Sequence, residues 1–309
     1  MKNSKFALYC ASLTLVGCST LDTLSAMRSQ QALLSDSTQS DTTVTSVASD
    51  RDSQGQPAAL LSAFYGLEAL PKRSGSTICE GAGGMNGMPL IFSKEIDVST
   101  MQAGDFEVTR ENGEIGAITC ITLAPADDTG ELRTGLLVGS YGSADNPPVR
   151  VEVIGNLLSL DGSANFKGTS IDVTPLASGP SMVWAELVPE SEWALGKLAT
   201  SLPFGGGSGC PAGTTQVIRV TWAGGVTKPG GDEVDDLERE QYKVTLQTDD
   251  GNTVEATPFA LGDLGDSDNN HELCLDVTGT PASVFFPAGF LTDPGEDLNP
   301  DSNIRVINI

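Results

Sequence analysis

The chain has few of the residues on which most catalytic and zinc sites depend. It contains a single histidine, His271, so a Ser-His-Asp or Cys-His catalytic set would have to use that residue. No G-x-S-x-G nucleophile motif accompanies it, and no C-x-x-C pair occurs. We therefore expect no enzyme and no zinc site, and we expect His271 to lie at the surface on a strand edge.

Basic residues are also scarce. The chain has 17 Lys and Arg against 41 Asp and Glu, which gives a formal net charge of −24. A surface of this kind repels nucleic acid and anionic lipid head groups, so we expect no nucleic-acid partner. The charge favours cationic partners or metal ions, although a high acidic charge also keeps an exported protein soluble without any such role.

No apolar run is long enough to span a bilayer as a helix. The apolar segment at residues 6–16 has 11 residues, whereas a spanning helix needs roughly 20. Lys2 and Lys5 precede this segment, and a basic start before a short apolar core is typical of a signal peptide. We assign residues 1–17 to a signal peptide.

The end of this segment, Leu-Val-Gly-Cys at residues 15–18, resembles the lipobox of bacterial lipoproteins. The resemblance implies that Cys18 becomes the first mature residue, with a diacylglyceryl thioether on its sulfur and a further acyl chain on its amino group. Several chains anchor a protein stably to a membrane, whereas one binds marginally. Ser19 stands where an Asp tends to retain such proteins at the inner membrane, so the resemblance implies the outer membrane, on either face. An ordinary signal peptide with an incidental cysteine is the alternative.

Residues 18–57 contain mainly Ser, Thr, Gln and Asp. Such a stretch buries too little apolar surface to offset its chain entropy, so we predict a lipidated cysteine followed by a disordered tether. Large apolar residues near helical spacing then predict a short helix or turn that ends at Pro71 and packs on the first module. They are Leu60, Leu61, Phe64, Leu67 and Leu70.

Beyond Pro71 the pattern is that of an all-β chain. Short runs of Val, Ile, Thr and aromatic residues alternate with Gly, Asn, Asp and Pro. The candidate strands are residues 89–92, 105–109, 115–123, 133–138, 149–154, 171–174, 182–187, 217–222, 242–247, 253–259, 271–277 and 282–286. Strands at this spacing, with hairpin-like turns, predict β-sandwiches.

An internal repeat divides the β region. The spacing of three and five residues in Val98, Met101 and Phe106 recurs in Val234, Leu237 and Tyr242. Each copy continues with a Gly turn, a leucine ten residues later and an acidic stretch, APADDTGELRT or GDLGDSDNNHE. This ordered series predicts two tandem modules of one fold at residues 58–165 and 210–309, joined by linking strands within 166–209.

The first copy, PLIFSKEIDVSTMQAGDFEVTRENG, resembles bacterial Ig-like modules through its FS, DVST and FEVT motifs and the Gly113 that follows. The likeness covers about 75 residues and implies an Ig-like β-sandwich, a fold that serves mostly in spacers, adhesion units and sugar-binding appendages. The second copy departs from the pattern, with Trp222-Ala223 in place of Phe-Ser and a longer segment before Val234. Only the fold is therefore carried over to it.

Four cysteines remain after Cys10 leaves with the signal peptide and Cys18 carries lipid. An even number in an exported protein favours disulfides, and three pairings are possible. The repeat favours pairing within modules. The pairs are then Cys79 with Cys120 and Cys210 with Cys274.

One acidic turn has the pattern of a calcium site. Oxygen-bearing side chains recur at alternate positions, and calcium takes six to eight oxygen ligands. The candidate ligands are Asp263, Asp266, Asp268, Asn270 and Glu272. The alternative is a solvated turn between strands.

Two functions follow from these features. The first is a membrane-anchored, non-catalytic protein whose modules bind an envelope protein or polysaccharide, or act in adhesion or envelope structure. The alternative is a carbohydrate hydrolase that works through paired carboxylates. In that case Trp184, Trp193 and Trp222 would serve as stacking platforms for sugars.

Overall fold

The computed structural model describes residues 58–193, 208–265 and 268–308. Within these ranges the protein is nearly all β, with four antiparallel sheets, which confirms the predicted fold class. None of the described helices has the length and apolar character needed to cross a bilayer. The predicted signal peptide, Cys18 and the tether up to residue 57 lie outside the described residues, and so do residues 194–207 of the predicted linking segment.

The first unit packs a four-stranded sheet against a three-stranded sheet. The four-stranded sheet has the order β1-β2-β5-β4, formed by β1 (Leu60–Ala63), β2 (Asn86–Phe92), β4 (Ala117–Thr122) and β5 (Thr134–Ser140). The other sheet has the order β3-β6-β7, formed by β3 (Phe106–Arg110), β6 (Pro148–Val153) and β7 (Ser170–Asp172). A short helix, α1 (Ser74–Thr77), precedes β2. Alternate residues such as Val151 and Val153 face the core because successive strand side chains point to opposite faces.

The second unit has two four-stranded sheets. One has the order β12-β13-β9-β8, formed by β8 (Met182–Val188), β9 (Gln216–Trp222), β12 (Ala260–Gly262) and β13 (Asn270–Leu275). The other has the order β11-β10-β14-β15, formed by β10 (Lys243–Gln247), β11 (Thr253–Ala256), β14 (Thr280–Phe286) and β15 (Ser302–Arg305). A helix of four residues, α2 (Asp236–Arg239), precedes β10.

The two units repeat one strand order. The order β1-β2-β5-β4 corresponds to β8-β9-β13-β12, and β3-β6-β7 corresponds to β10-β14-β15, with β11 as an addition. Each core contains an aromatic pair at equivalent places in the sequence repeat. The ring centroids of Phe92 and Phe106 are 6.4 Å apart, and those of Trp222 and Tyr242 are 6.5 Å apart. The sequence repeat thus has a counterpart in topology and in packing.

The linking segment is divided between the units. Strand β7 pairs with β6 of the first unit, whereas β8 pairs with β9 and forms an edge of the second. The second unit therefore begins near residue 182, ahead of the predicted boundary at 210.

The segment before Pro71 forms a strand in place of the predicted helix. Strand β1 pairs with β2, and Leu60, Ala63 and Phe64 are buried. Pairing with an existing sheet edge satisfies the backbone of this segment and covers its apolar side chains, which outweighs a local helical spacing.

The four cysteines described form two disulfides within units. Cys79 joins Cys120 of β4, and Cys210 joins Cys274 of β13. These are the pairs that the repeat favours.

Candidate functional site

A buried ion network begins in the four-stranded sheet that contains β9. Strand β9 has one charged residue, Arg219, and the antiparallel register places Glu186 of β8 and Glu272 of β13 opposite it. Arg219 Nη2 donates to Glu272 Oε1 at 3.0 Å, and Nη1 donates to Glu186 Oε1 at 3.4 Å. All three side chains are buried, so each charge depends on the others for compensation.

A loop of the first unit covers Arg219. The guanidinium donates to the carbonyl oxygens of Gly130 at 2.9 Å and Thr129 at 3.4 Å, and Nε lies 3.9 Å from Glu131 Oε1. Gly130 has a φ of +87°, and a Cβ atom there would lie 2.3 Å from Arg219 Nη1. Only glycine combines this backbone conformation with this close approach.

A second set of contacts crosses between the units beside this loop. Arg133 Nη2 donates to Glu186 Oε2 at 3.0 Å, and the Arg133 guanidinium lies 4.3 Å from the centre of the Trp184 ring. Asn269 Nδ2 donates to Thr134 Oγ1 at 3.2 Å. The two units therefore meet along a polar junction that is buried.

Three carboxylates meet at this junction, and we call Asp128, Glu131 and Asp263 the carboxylate cluster. Asp128 and Glu131 lie in the loop between β4 and β5, and Asp263 directly follows β12. One carboxylate oxygen from each residue lies within 4.8 Å of the other two, and all three residues are buried. They belong to the two acidic stretches that occupy equivalent places in the sequence repeat.

Burial and neighbouring negative charges raise the pKa of Glu131. Burial raises this pKa well above its usual value, and the neighbouring Asp268 and Asp263 raise it further, while Arg219 has the opposite effect. Burial alone would lower the pKa of the Arg219 guanidinium, but the surrounding carboxylates, with Glu131 the strongest, raise it overall. Arg219 therefore stays charged, and the energetic penalty of the excess negative charge falls on the acids.

The pKa of Glu272, which also contacts Arg219, is subject to the same opposing effects. Burial raises the pKa of its carboxyl group, Arg219 lowers it, and Asp128 raises it again. Glu272 and the carboxylate cluster therefore belong to one electrostatic unit.

The predicted calcium ligands that the structure describes take part in separate contacts. Asp263 belongs to the carboxylate cluster, and Asp266 lies outside the described residues. Asp268 accepts hydrogen bonds from the Asn270 backbone and side-chain amides at 2.7 and 2.8 Å. Glu272 is paired in the ion network. Of the predicted ligands that are described, Asp263 alone belongs to the carboxylate cluster. The other two members, Asp128 and Glu131, come from the first unit.

His271 is buried, so the expectation of a surface position is wrong. It is 3% exposed, and its Nδ1 lies 2.7 Å from the Tyr242 hydroxyl, which also accepts from Trp222 Nε1 at 3.0 Å. Burial lowers the pKa of His271 to about 4. Strand β13 pairs on both sides, with β9 and β12, so His271 is a neutral core residue.

An apolar cleft also lies where the units meet. It has a volume of about 220 Å³, and its walls include Phe64, Leu67 and Leu136 of the first unit and Gly224 of the second. A Cβ atom on Gly224 would lie 2.9 Å from the Phe64 ring. Among the described residues, Asp268 is the single carboxylate in the lining, so these residues do not supply the pair of carboxylates that glycoside hydrolysis uses.

Sequence reasoning missed the buried ion pair of Arg219 and Glu186. Arg219 is the lone charge in the apolar strand QVIRVTW, and Glu186 is the lone charge in MVWAELV. Charged residues are rarely buried unless they are paired, so these two interruptions were the available signal. Their partners Arg133 and Glu131, on the loop between β4 and β5, lie in a stretch whose composition is typical of an exposed acidic turn, so the sequence did not indicate that they are buried.

Comparison with known proteins gives no relative from which a function could be transferred. No model of a known protein family matches the chain, and a search of curated proteins finds no significant match.

Proposed function

We propose that this protein is an exported, non-catalytic lipoprotein of the outer membrane whose two modules, of Ig-like type, bind an envelope protein or polysaccharide. The lipobox-like residues 15–18 support the anchor, and the Ser/Thr-rich stretch up to residue 57 supports a tether between lipid and modules. The doubled strand order supports two modules of one type.

The observation that carries the non-catalytic part is the position of two buried acids, Glu131 and Glu272, whose pKa values burial raises. Glu131 and Glu272 are 0% exposed and lie inside the junction, where a polysaccharide chain cannot reach them. A hydrolytic acid must contact the glycosidic oxygen directly. These carboxylates therefore support a role in holding the modules together, which leaves the outer surfaces of the modules for binding.

The tryptophans support the same conclusion. Trp222 is fully buried in the core, and Trp184 is 8% exposed beneath Arg133. Trp193 is half-buried and donates through Nε1 to the Val188 carbonyl oxygen at 3.0 Å. Sugar-stacking platforms present an open ring face, and neither of the first two rings does so.

The binding role is tested by a pull-down with the intact protein against envelope extracts and insoluble glycans. We expect retention on one envelope component with no release of reducing sugar. Release of reducing sugar that disappears after a single carboxylate-to-amide substitution would establish the hydrolase instead.

The anchor has a test of its own. Cys18→Ala should move the protein from the membrane pellet to the soluble fraction, because the acyl chains are lost. Cys10→Ala is the matched control, since Cys10 lies within the proposed signal peptide and its loss should leave the protein in the pellet. Firm membrane retention of the Cys18→Ala protein would refute the lipid anchor.

A further inference from the structure

The junction contains more buried acids than buried bases. The guanidinium groups of Arg133 and Arg219 are the buried cations there. The buried acids around them include Asp128, Glu131, Glu186, Asp263, Asp268 and Glu272. A buried carboxylate is unstable unless a positive charge or a proton compensates it, so this arrangement requires a further cation or several protons.

Two of these side chains have oxygen atoms that point to a bound ligand. Both carboxylate oxygens of Glu131 and the Oε2 atom of Glu272 accept no hydrogen bond from an amide, guanidinium or hydroxyl group of the described residues, and the polar group beside Glu131 is another acid, Asp263. Both side chains are 0% exposed, so bulk water does not solvate them. Arg219 Nε is 3.9 Å from Glu131 Oε1, which is too long for a hydrogen bond. Since nearly all buried polar atoms in proteins have a partner, a ligand is expected at Glu131.

We propose that a calcium ion binds the carboxylate cluster and joins the two units. Calcium–oxygen distances are about 2.3–2.6 Å, so two ligand oxygens on opposite sides of one ion are at most about 5.2 Å apart. The oxygens of Asp128, Glu131 and Asp263 lie within 4.8 Å of one another and therefore fit around a single ion. Bidentate binding by these three carboxylates would supply up to about six of the six to eight oxygen ligands that calcium takes.

Calcium fits this donor set better than other common metals. The ligands are all carboxylate oxygens, whereas zinc prefers imidazole and thiolate. The described cysteines are in disulfides, and His271 is held by Tyr242. Magnesium keeps several of its waters, for which a cluster of side chains that are at most 1% exposed beside a packed guanidinium leaves little room.

This site differs from a calcium turn made by one segment. Asp128 and Glu131 belong to the first unit and Asp263 to the second, so the ion cannot bind fully unless the units are docked. Binding to the folded, docked state alone stabilises that state. The ion therefore acts as a cross-link between two modules of one chain.

The test uses the intact chain after calcium has been removed with a chelator. Titration calorimetry with calcium chloride should show one ion bound per chain, with magnesium binding more weakly. At calcium one hundred times above the dissociation constant, the unfolding midpoint should rise by about 5–10 °C. Absence of both heat and thermal shift at millimolar calcium would overturn the proposal and leave shared protons as the means by which the acids coexist.

Variants from both units make the test specific. Glu131→Gln and Asp263→Asn should each abolish the thermal shift, although the two residues belong to different modules. Asn also tolerates the positive φ of 63° at position 263. Asp172→Asn removes an exposed carboxylate of β7 and should leave the shift unchanged.

The unfolding midpoints of the calcium-free proteins show whether Glu131 binds the ion or only supports the fold. Because Glu131→Gln removes an uncompensated buried charge, its calcium-free midpoint should equal or exceed that of the unaltered protein. A lower midpoint for Glu131→Gln in both conditions, with the calcium shift retained, would place the ion elsewhere and overturn the proposal.

Discussion

Arg219→Met should destabilise the protein far more than the loss of an average ion pair. The guanidinium is 1% exposed and lies 3.0, 3.4 and 3.9 Å from the carboxylates of Glu272, Glu186 and Glu131. Methionine fills similar volume, but it leaves three buried carboxylates without their shared cation. Breaking a buried ion pair by removing one partner costs about 3–5 kcal/mol, so we expect a loss of about 4 kcal/mol in unfolding free energy.

The assay is urea unfolding at pH 7, supported by thermal unfolding. For a protein of this size, a loss of about 4 kcal/mol lowers the unfolding midpoint by about 8–16 °C. Arg150→Met is the matched control, because Arg150 and its partner Asp172 have side chains that are 49% and 88% exposed. That surface pair should contribute less than about 1 kcal/mol.

A double variant tests the electrostatic reason. Adding Glu272→Gln to Arg219→Met removes one of the uncompensated charges, so it should recover part of the lost stability. Neighbouring residues of this kind commonly show interaction energies of about 0.5–3 kcal/mol. The reasoning would be refuted if Arg219→Met lost no more stability than Arg150→Met, or if the second substitution simply added a further loss.

Three other predictions concern the stability of the folded protein. In urea unfolding, Gly130→Ala should lose more stability than Gly113→Ala by at least about 1 kcal/mol. Both glycines have positive φ, but of the two only Gly130 lies against a side chain, that of Arg219. Equal losses for the two variants would contradict this close approach. His271 stays neutral in the folded protein down to a pKa of about 4, whereas the unfolded chain takes up a proton near pH 6.5, so acidification through this window should remove up to about 3 kcal/mol. In His271→Gln that part of the pH dependence should vanish from urea unfolding measured between pH 4.5 and 7. Replacing both Cys210 and Cys274 by serine should remove about 4 kcal/mol, since their disulfide closes a loop with a sequence separation of 64 residues, and an unchanged urea midpoint would contradict it.

The strands were predictable because their signals are local. Alternation in a strand such as β6 indicates which side faces the core, and Phe106 and Tyr242, which have matched spacing in the sequence, each lie in a buried hydrophobic cluster. The helix expected before Pro71 failed for the opposite reason. Its residues follow a helical spacing, yet the available partner is the edge of β2, where Leu60 pairs with Phe92, far along the chain.

The site was predictable only in part. Both acidic stretches are visible in the sequence, and Asp263 was among the predicted ligands. What the sequence does not contain is the docking of the two units, which brings Asp263 to Glu131. His271 was misplaced because its exposure depends on whether β13 is central or at an edge, which strand spacing does not determine.

The most direct measurement is the anomalous diffraction of a crystal of this protein grown with calcium. The account predicts one anomalous peak at the junction, about 2.3–2.6 Å from oxygen atoms of Asp128, Glu131 and Asp263. A crystal with no peak there, in which the Glu131 and Asp263 carboxyl groups lie within hydrogen-bonding distance and share a proton, would contradict it.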